Sequence, residues 1–280
     1  MTGGRRAEQA VAQHYTPGAL ERAVLDALRA AGKDPDRLEP ADLAPVDEFH
    51  IGGRQATMDL AAQLHVAPGM QLLDIGSGLG GASRYFAHAL GCTVTGIDLT
   101  EEFVQVAQAL SVRTGLAGRV SYRQGSALAL PFPAGAFDAA YMLHVGMNIA
   151  DKATLFAEVR RVLKPRGLFG LYDVMREREG PLAYPVPWAT TAETDFLEPS
   201  ATYARLLAAA GFEVLAQRSR REFAVAFFRE LRARIAQAGA PPLGLHILMG
   251  PTTPQKIANM VSPLEAGLIS PTEIVCRASA

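Results

Sequence analysis

One glycine-rich segment constrains this chain more than any other; it runs Asp74-Ile75-Gly76-Ser77-Gly78-Leu79-Gly80-Gly81. It continues the short apolar run that begins at Met70, which is typical of a strand buried on both faces of a parallel sheet. Glycines let the chain turn sharply after such a strand and let a ligand approach the backbone. Backbone amides at the start of the next helix then face that ligand. The segment therefore predicts a strand, a tight loop and a helix around a binding site.

Strand-like and helix-like patterns alternate through the middle of the chain. After the first strand, apolar strands are predicted at residues 92–99, 119–125, 137–144 and 167–174. Helices are predicted between them at residues 82–90, 101–113 and 154–163, the last of them ended by Lys164-Pro165-Arg166-Gly167. This alternation predicts an α/β fold with a parallel sheet covered by helices on both faces.

The two ends of the chain are predicted to be more helical. Thr16-Pro17 can begin a helix that Gly32 ends, the proline-rich residues 35–45 predict a loop, and residues 55–64 predict a helix. Helices at residues 200–211, 222–238 and 253–266 and strands at residues 212–219 and 272–279 follow. We expect an N-terminal helical lid (residues 1–66), a ligand-binding core (67–218), a helical insertion (219–270) and the last strand of the core (271–280).

Composition excludes several classes of function. Lys plus Arg (27) nearly balance Asp plus Glu (28), whereas a protein that neutralises phosphates is usually basic, so nucleic-acid binding is not expected. Two cysteines, Cys92 and Cys276, cannot form a disulfide framework or a cysteine-rich metal site. No stretch approaches the roughly 18 apolar residues that span a bilayer. We therefore expect a cytoplasmic protein without a membrane partner.

Asp98 follows the second predicted strand, about 20 residues after the first glycine of the loop, where a carboxylate can accept hydrogen bonds from ribose hydroxyls. Gly76, Gly78 and Gly81 also satisfy the dinucleotide pattern G-x-G-x-x-G. Asp74 argues against a nicotinamide cofactor, because its carboxylate precedes the loop and would repel a pyrophosphate. It would suit a cationic cofactor that carries an ammonium group.

The block GSALALPFPAGAFDAAYMLH, followed by RRVLKPRG, completes a series of motifs from about Met70 to Asp173. This series resembles the class I S-adenosylmethionine (SAM)-dependent methyltransferases. The resemblance implies a Rossmann-like, seven-stranded, mostly parallel sheet and SAM as cofactor. DEFHIGGRQAT, HVGMNIADK and YPVPWATTAETDFL are similar to the ubiquinone and sarcosine/dimethylglycine branch of small-molecule methyltransferases. That branch methylates nitrogen, carbon and oxygen, so the resemblance leaves the acceptor open.

The resemblance also implies roles for individual residues in cofactor binding. Near the methionine part of SAM we expect Asp74, Gly76, Ser77, Gly78, Gly80 and, for its carboxylate, Arg54. Asp98 would bind the ribose and Leu99 would cover the adenine. Ser126 stands where family members often have Asp, so adenine recognition would depend on the Ser126 hydroxyl and the Ala127 amide.

His144, at the start of the loop after the fourth strand, is the candidate general base, because an unperturbed histidine titrates near neutral pH. The resemblance also implies that His144 contributes to cofactor binding, at the junction between cofactor and acceptor. A structural histidine at a strand end is the alternative interpretation. Further candidates for acceptor binding are Tyr15, His50, Asn148, Asp173, Trp188 and His246. The His, Asp and Cys residues show no metal-ligand spacing on a single element, so no metal is expected.

Three interpretations of the function stay open at this point. The first is in-line methyl transfer from SAM to a small molecule, either an amine such as sarcosine or dimethylglycine or a secondary-metabolite carbon or oxygen. The second is an NAD(P)-dependent oxidoreductase of the Rossmann type. The third is a SAM-binding protein without catalytic activity. The sequence does not determine the oligomeric state, and a homodimer is one alternative.

Overall fold

The computed structural model describes residues 19–280 together with Glu8, Gln9 and Ala12. Within these residues seven strands form one sheet. They are β1 (Gln71–Ile75), β2 (Thr93–Asp98), β3 (Val120–Gln124), β4 (Phe137–Leu143), β5 (Leu163–Arg176), β6 (Phe212–Ser219) and β7 (Ile269–Ala278). Their order in the sheet is β3-β2-β1-β4-β5-β7-β6, and β7 runs antiparallel to both of its neighbours. The predicted α/β, Rossmann-like sheet of seven mostly parallel strands is therefore confirmed.

The helices of the described residues cover both faces of this sheet. They are α1 (Leu20–Ala30), α2 (Pro40–Asp47), α3 (Gly53–Gln63), α4 (Gly81–Leu90), α5 (Glu101–Arg113), α6 (Lys152–Val162), α7 (Ser200–Ala209), α8 (Arg221–Ala238), α9 (His246–Met249) and α10 (Thr253–Glu265). In the part of the chain that the structure describes, no helix is long and apolar enough to cross a membrane.

The sheet reverses its strand order between β1 and β4, and this reversal positions the site. β1 pairs with β2 on one side and with β4 on the other, all in parallel. The connections therefore leave the two strands in opposite directions and open a crevice at their carboxyl ends, which is where open α/β sheets bind ligands. The glycine-rich segment begins at this crevice, directly after β1.

Three expectations about the chain's elements are corrected. The proline-rich stretch contains α2, because Pro40 occupies the first helical turn and Glu39 and Asp42 form a reciprocal capping box. Residues 164–167 belong to the start of β5, where a register shift between Phe137 and Ala139 accommodates them. The last strand begins at Ile269, three residues before the predicted start at residue 272, because Ile269 still pairs with Arg176.

The segment before β1 packs closely against the sheet. Leu60 of α3 and Leu64, the residue that follows α3, are buried in one apolar cluster with Tyr172 of β5. Arg84 of α4 and Asp47 of α2 form an ion pair with a distance of 2.6 Å, and both side chains are fully buried. Removing one partner of such a pair costs about 3–5 kcal/mol, since it leaves an uncompensated buried charge. The described part of the N-terminal segment is therefore held on the sheet by charge as well as by apolar contact.

Candidate functional site

A cavity of about 1680 Å³ opens at the carboxyl ends of the central strands. The glycine loop, the residues after β2 and the residues after β4 form its floor. The segment from Ala44 to Gln55 covers one side, and residues of α8, α10 and the loop between them cover another. The cavity thus lies at the crevice that the strand order predicts.

The glycine loop has a backbone that other residues would not adopt without strain. Gly76, Gly78 and Gly80 have φ values of 71°, 53° and 81°. The amides of Gly76 and Ser77 donate to the carbonyl of Ile97 at 2.8 and 3.0 Å, which ties the loop to β2. A Cβ on Gly76 would lie 2.3 Å from a methyl of Val145, whereas a Cβ on Gly78 would meet no protein atom within 4 Å. Gly78 therefore borders open space.

Gly80, which the resemblance places near the methionine part of SAM, lies beside Tyr122 of β3. A Cβ at this position would lie 2.2 Å from the hydroxyl of Tyr122, and Gly80 is not among the residues that line the cavity. We infer that Gly80 allows α4 to approach β3 closely.

Asp98 lies at the end of β2 and lines the cavity beside the loop. Its two carboxylate oxygens accept the amides of Gly78 at 2.8 Å and Thr100 at 2.9 Å. Burial raises the pKa of Asp98, although these amide hydrogen bonds oppose the increase. Each carboxylate oxygen has a second lone pair, so Asp98 can still accept hydrogen bonds from a diol.

Asp74 is buried at the end of β1, where it lines the cavity. The hydroxyl of Ser83 on α4 donates to Asp74 at 2.6 Å. Burial raises the pKa of Asp74 to about 7, against the opposing hydrogen bonds from Ser83 and Tyr141. The side chain is therefore partly protonated near neutral pH, and a nearby cation would favour its charged form.

Arg54 lines the cavity, but its charge is already partnered. Its guanidinium donates to the buried carboxylate of Glu48 and, at 3.0 Å, to the carbonyl of Pro40. Glu48 also accepts the hydroxyl of Thr57 at 2.7 Å. The role of Arg54 in binding the cofactor carboxylate stays a prediction. In that role the Arg54 guanidinium would have to pair with the cofactor carboxylate and with Glu48 at the same time.

His144 follows β4 and lines the cavity. It has a φ of 56°, which is uncommon outside glycine, and its amide donates to the carbonyl of Tyr172 at 2.7 Å. Burial, together with the nearby His50, lowers the pKa of His144 well below the usual value. The expectation that His144 titrates near neutral pH is therefore wrong, and its imidazole is neutral there. Its Nε2 has no hydrogen-bond partner among the described residues.

His50 lies beside His144, with 6.0 Å between the two ring centroids. The Nε2 of His50 is 3.0 Å from the carbonyl of Gly53 and 3.1 Å from the hydroxyl of Thr57. Burial lowers the pKa of His50 to about 4. Two neutral imidazoles therefore border this part of the cavity at neutral pH.

Glu8 is a site residue that sequence reasoning missed. Its carboxylate accepts a hydrogen bond from the hydroxyl of Ser126, and it lines the cavity near Leu99 and Ala127. The same hydroxyl accepts the amide of Leu128 at 3.0 Å, whereas Ser126 itself is not a lining residue. No sequence signal marks Glu8, because its partner is 118 residues away.

The other predicted acceptor residues lie in different places. Trp188, His246 and Asn148 line the cavity. Trp188 is 2% exposed and donates to Asp195 at 3.0 Å, while Oδ1 of Asn148 has no partner within the described residues. Asp173 does not line the cavity, because it is fully buried and accepts the hydroxyl of Tyr203 at 2.6 Å.

Tyr15 lies outside the described residues. Among residues 19–280, Glu8, Gln9 and Ala12, no three His, Cys, Asp or Glu side chains come together in a way that could hold a metal ion.

Comparisons with known proteins give a family and a fold. Residues 73–171 match the family model of a methyltransferase domain. Sterol 24-C-methyltransferase ERG6B of Gibberella zeae is 36% identical over 114 residues, which are 41% of this chain and 30% of that protein. O-methyltransferase resE of Aspergillus sclerotiorum is 29% identical over 140 residues, 50% of this chain and 53% of that protein. The chain therefore spans less than two thirds of the length of these relatives.

Solved structures extend the similarity of fold over the described chain. Geranyl diphosphate C-methyltransferase of Streptomyces coelicolor A3(2) has a TM-score of 0.69 at 19% identity and 97% coverage of both chains. The [4+2]-cyclase SpnF has a TM-score of 0.69 at 22% identity, covering 98% of this chain and 97% of its own. A protein assigned as a sarcosine dimethylglycine methyltransferase from Galdieria sulphuraria has a TM-score of 0.66 at 20% identity, covering 80% and 85%. At these identities the likeness concerns the fold.

Proposed function

Because the domain at residues 73–171 makes this chain a member of the class I SAM-dependent methyltransferases, we propose that it transfers a methyl group from SAM to a small-molecule acceptor. The observation that carries this proposal is the junction of the glycine loop with Asp98, where open space lies over Gly78 beside a partly buried carboxylate. Such a junction accommodates a nucleoside with a ribose diol, as the cofactor of this family has.

The residues at the junction fit SAM. Asp98 would accept the ribose hydroxyls, and the open space at Gly78 would admit the methionine part beside Gly76 and Ser77. Asp74 would face the ammonium group and keep its negative charge in the complex. Leu99 and the Ala127 backbone would hold the adenine. Glu8 is an additional candidate here, since a carboxylate can accept the adenine amino group.

When bound, SAM supplies an electrophilic methyl group on a positively charged sulfur. The chain's own contribution is alignment and exclusion of water, which can supply effective molarities of up to about 10⁵–10⁸ M in well-oriented reactions. His144 and His50 are neutral, so they do not repel the sulfonium from this side. The Nε2 of His144 can hold or accept a proton from an acceptor that loses one.

A SAM-binding protein without methyl transfer is the second candidate. Its support is the similarity in fold, over nearly the whole chain, to the [4+2]-cyclase SpnF. The NAD(P)-dependent oxidoreductase is disfavoured, because the family match and the buried Asp74 both argue against a pyrophosphate in the loop. The acceptor atom, the cytoplasmic location, the homodimer and the division at residues 66, 218 and 270 remain predictions.

Two measurements test the proposed function. Calorimetric titration with SAM and with NAD should give saturable binding of SAM alone; binding of NAD alone would overturn the proposal. Incubation with isotope-labelled SAM and a metabolite extract, followed by mass spectrometry, should give labelled products and S-adenosylhomocysteine. Tight binding of SAM without any labelled product would instead support the second candidate.

A further inference from the structure

The cavity is larger than one ligand requires. Its volume is about 1680 Å³, whereas a pocket for one drug-sized ligand measures about 300–1000 Å³. A SAM molecule at the glycine loop therefore leaves space for a second molecule of similar or greater size. A compact amino acid such as sarcosine would leave most of that space to water.

The walls of the remaining space are apolar. We use the term acceptor compartment for the part of the cavity that residues 187–261 line. Phe228 and Met260 pack in one apolar cluster with Trp188, and Phe227, Leu231 and Ile257 extend this surface along α8 and α10. Water in contact with such a surface is displaced favourably by hydrocarbon.

The charged side chains of the acceptor compartment lie at one side. Among its lining residues, all of which the structure describes, only Arg232 and Arg234 are permanently charged. Both are exposed on the carboxyl-terminal half of α8, and Arg232 pairs with Glu265 at 2.7 Å. No carboxylate lines the acceptor compartment. A cationic or zwitterionic amine held against α8 and α10 would thus have no carboxylate beside it, since Asp47, Glu48 and Asp151 line other walls of the cavity.

Polar atoms are found where the acceptor compartment meets the glycine loop. His144 Nε2 and Asn148 Oδ1 lack hydrogen-bond partners among the described residues. Buried polar atoms in proteins are normally paired. Both atoms are almost inaccessible to water in this structure, so a polar group on a bound molecule would reach them after a shift of the two side chains. One polar end at His144 and Asn148 and an apolar body along α8 and α10 would satisfy both parts of the cavity.

We propose, on the basis of the proposed methyl transfer, that the acceptor is an uncharged, mainly hydrocarbon molecule with one polar group at its reacting end. Its body lies in the acceptor compartment against Leu231, Ile257 and Met260. Its polar group lies at His144 and Asn148. Acceptor choice in this chain is therefore governed by apolar contact with α8 and α10 and not by recognition of an amine.

Binding of the neutral apolar probe N-phenyl-1-naphthylamine, measured by fluorescence in the presence of S-adenosylhomocysteine, tests this proposal. The protein should bind the probe saturably, and Leu231→Arg should weaken binding at least tenfold. Leu215→Arg is the matched control, because it makes the same change at an exposed apolar residue outside the cavity. It should leave probe binding unchanged. An equal loss in both variants, or no saturable binding, would overturn the proposal.

A competition experiment on the unaltered protein avoids any folding defect of the variants. Farnesol should displace the probe and sarcosine should not; displacement by sarcosine alone would overturn the proposal. SAM binding is measured calorimetrically on the same samples. Absence of probe binding by the unaltered protein, with intact SAM binding, contradicts this inference alone, whereas absence of SAM binding contradicts the proposed function.

Discussion

The carboxylate of Asp98 accepts the amide of Gly78 at 2.8 Å, so the end of β2 fixes the glycine loop that follows β1. The loop keeps its left-handed backbone at Gly78 although no protein atom lies near the position of a Cβ. The hydrogen bond to Asp98 therefore fixes the backbone conformation that leaves the space beside Gly78 open. This space lies next to the carboxylate that would bind a ribose. A substitution at Gly78 is therefore the most direct test of where the cofactor binds.

Gly78→Ala should reduce SAM affinity at least tenfold, because the new methyl group enters the space that the cofactor would occupy. Gly32→Ala is the matched control, since Gly32 also has a positive φ (76°) and open space around it but does not line the cavity. Both variants should lose about 1–2 kcal/mol of stability from the left-handed backbone. Calorimetry and urea unfolding measure the two effects. Unchanged SAM affinity in Gly78→Ala would place the cofactor elsewhere.

His144→Asn should lower turnover about 10²–10⁴-fold if the imidazole accepts a proton, while SAM affinity stays nearly unchanged. Asn is the chosen replacement because it tolerates the positive φ of this position. His65→Asn serves as the matched control, because His65 also has a positive φ (44°) but is exposed and does not line the cavity. Equal losses in turnover and SAM affinity would assign His144 to the cofactor site and remove it as the base.

Glu8→Gln should weaken SAM binding about tenfold or more, because a hydrogen bond to a charged group contributes about 1.5–3 kcal/mol. The same substitution should have little effect on binding of the inosine analogue of S-adenosylhomocysteine, which lacks the adenine amino group. Glu193→Gln changes an exposed carboxylate outside the cavity and should affect neither ligand. Equal weakening of both ligands by Glu8→Gln would show that Glu8 does not read the amino group.

Asp74→Asn should change how stability depends on pH. The folded protein keeps the Asp74 proton up to about pH 7, whereas the ordinary pKa is 3.8. Between these values the folded state binds more protons than the unfolded state, so this group's contribution to stability falls as pH rises. Relative to Asp74→Asn, the protein with Asp74 should therefore lose up to about 1.4 kcal/mol per pH unit.

Urea unfolding of both proteins at pH 5, 6, 7 and 8 measures this difference. Asp47 and Asp173, whose pKa values burial raises to about 6, titrate in the same direction, and His50 titrates in the opposite direction. These groups are present in both proteins, so the difference isolates Asp74. Parallel stability curves over this range would contradict the raised pKa.

The sheet and the cofactor side of the cavity were predictable because their signals are local. An apolar strand that ends in glycines, or in Asp98, places those residues at one edge of a parallel sheet. The helix α2 was not predictable as easily, because proline usually predicts a loop, and only the pairing of Glu39 with Asp42 reveals the helix start. In the segment predicted as an N-terminal lid, Leu60 is buried in one apolar cluster with residues of the sheet.

The environment of the site was not predictable from sequence, because it depends on residues that meet only after folding. The imidazole of His144 is uncharged at neutral pH because Tyr172 of β5 and His50 pack beside it and bury it. The positive charge of Arg54 is balanced by the ion pair with Glu48. Glu8 accepts a hydrogen bond from Ser126, which lies 118 residues away in the sequence. The apolar acceptor compartment is also a product of packing, since the helical patterns of α8 and α10 do not indicate which face borders a cavity.

The position of β7 has a consequence for how this protein folds during synthesis. β6 pairs with β7 and not with β5, although β6 is made before β7. The helices α8 and α10 lie between these two strands in the chain. On the ribosome, β6 therefore lacks its partner until residues 269–278 have emerged, and the acceptor compartment can be completed only after that. The strands and the glycine loop of the half that would bind the cofactor precede β6 in the chain, so they emerge from the ribosome before the acceptor compartment can be completed.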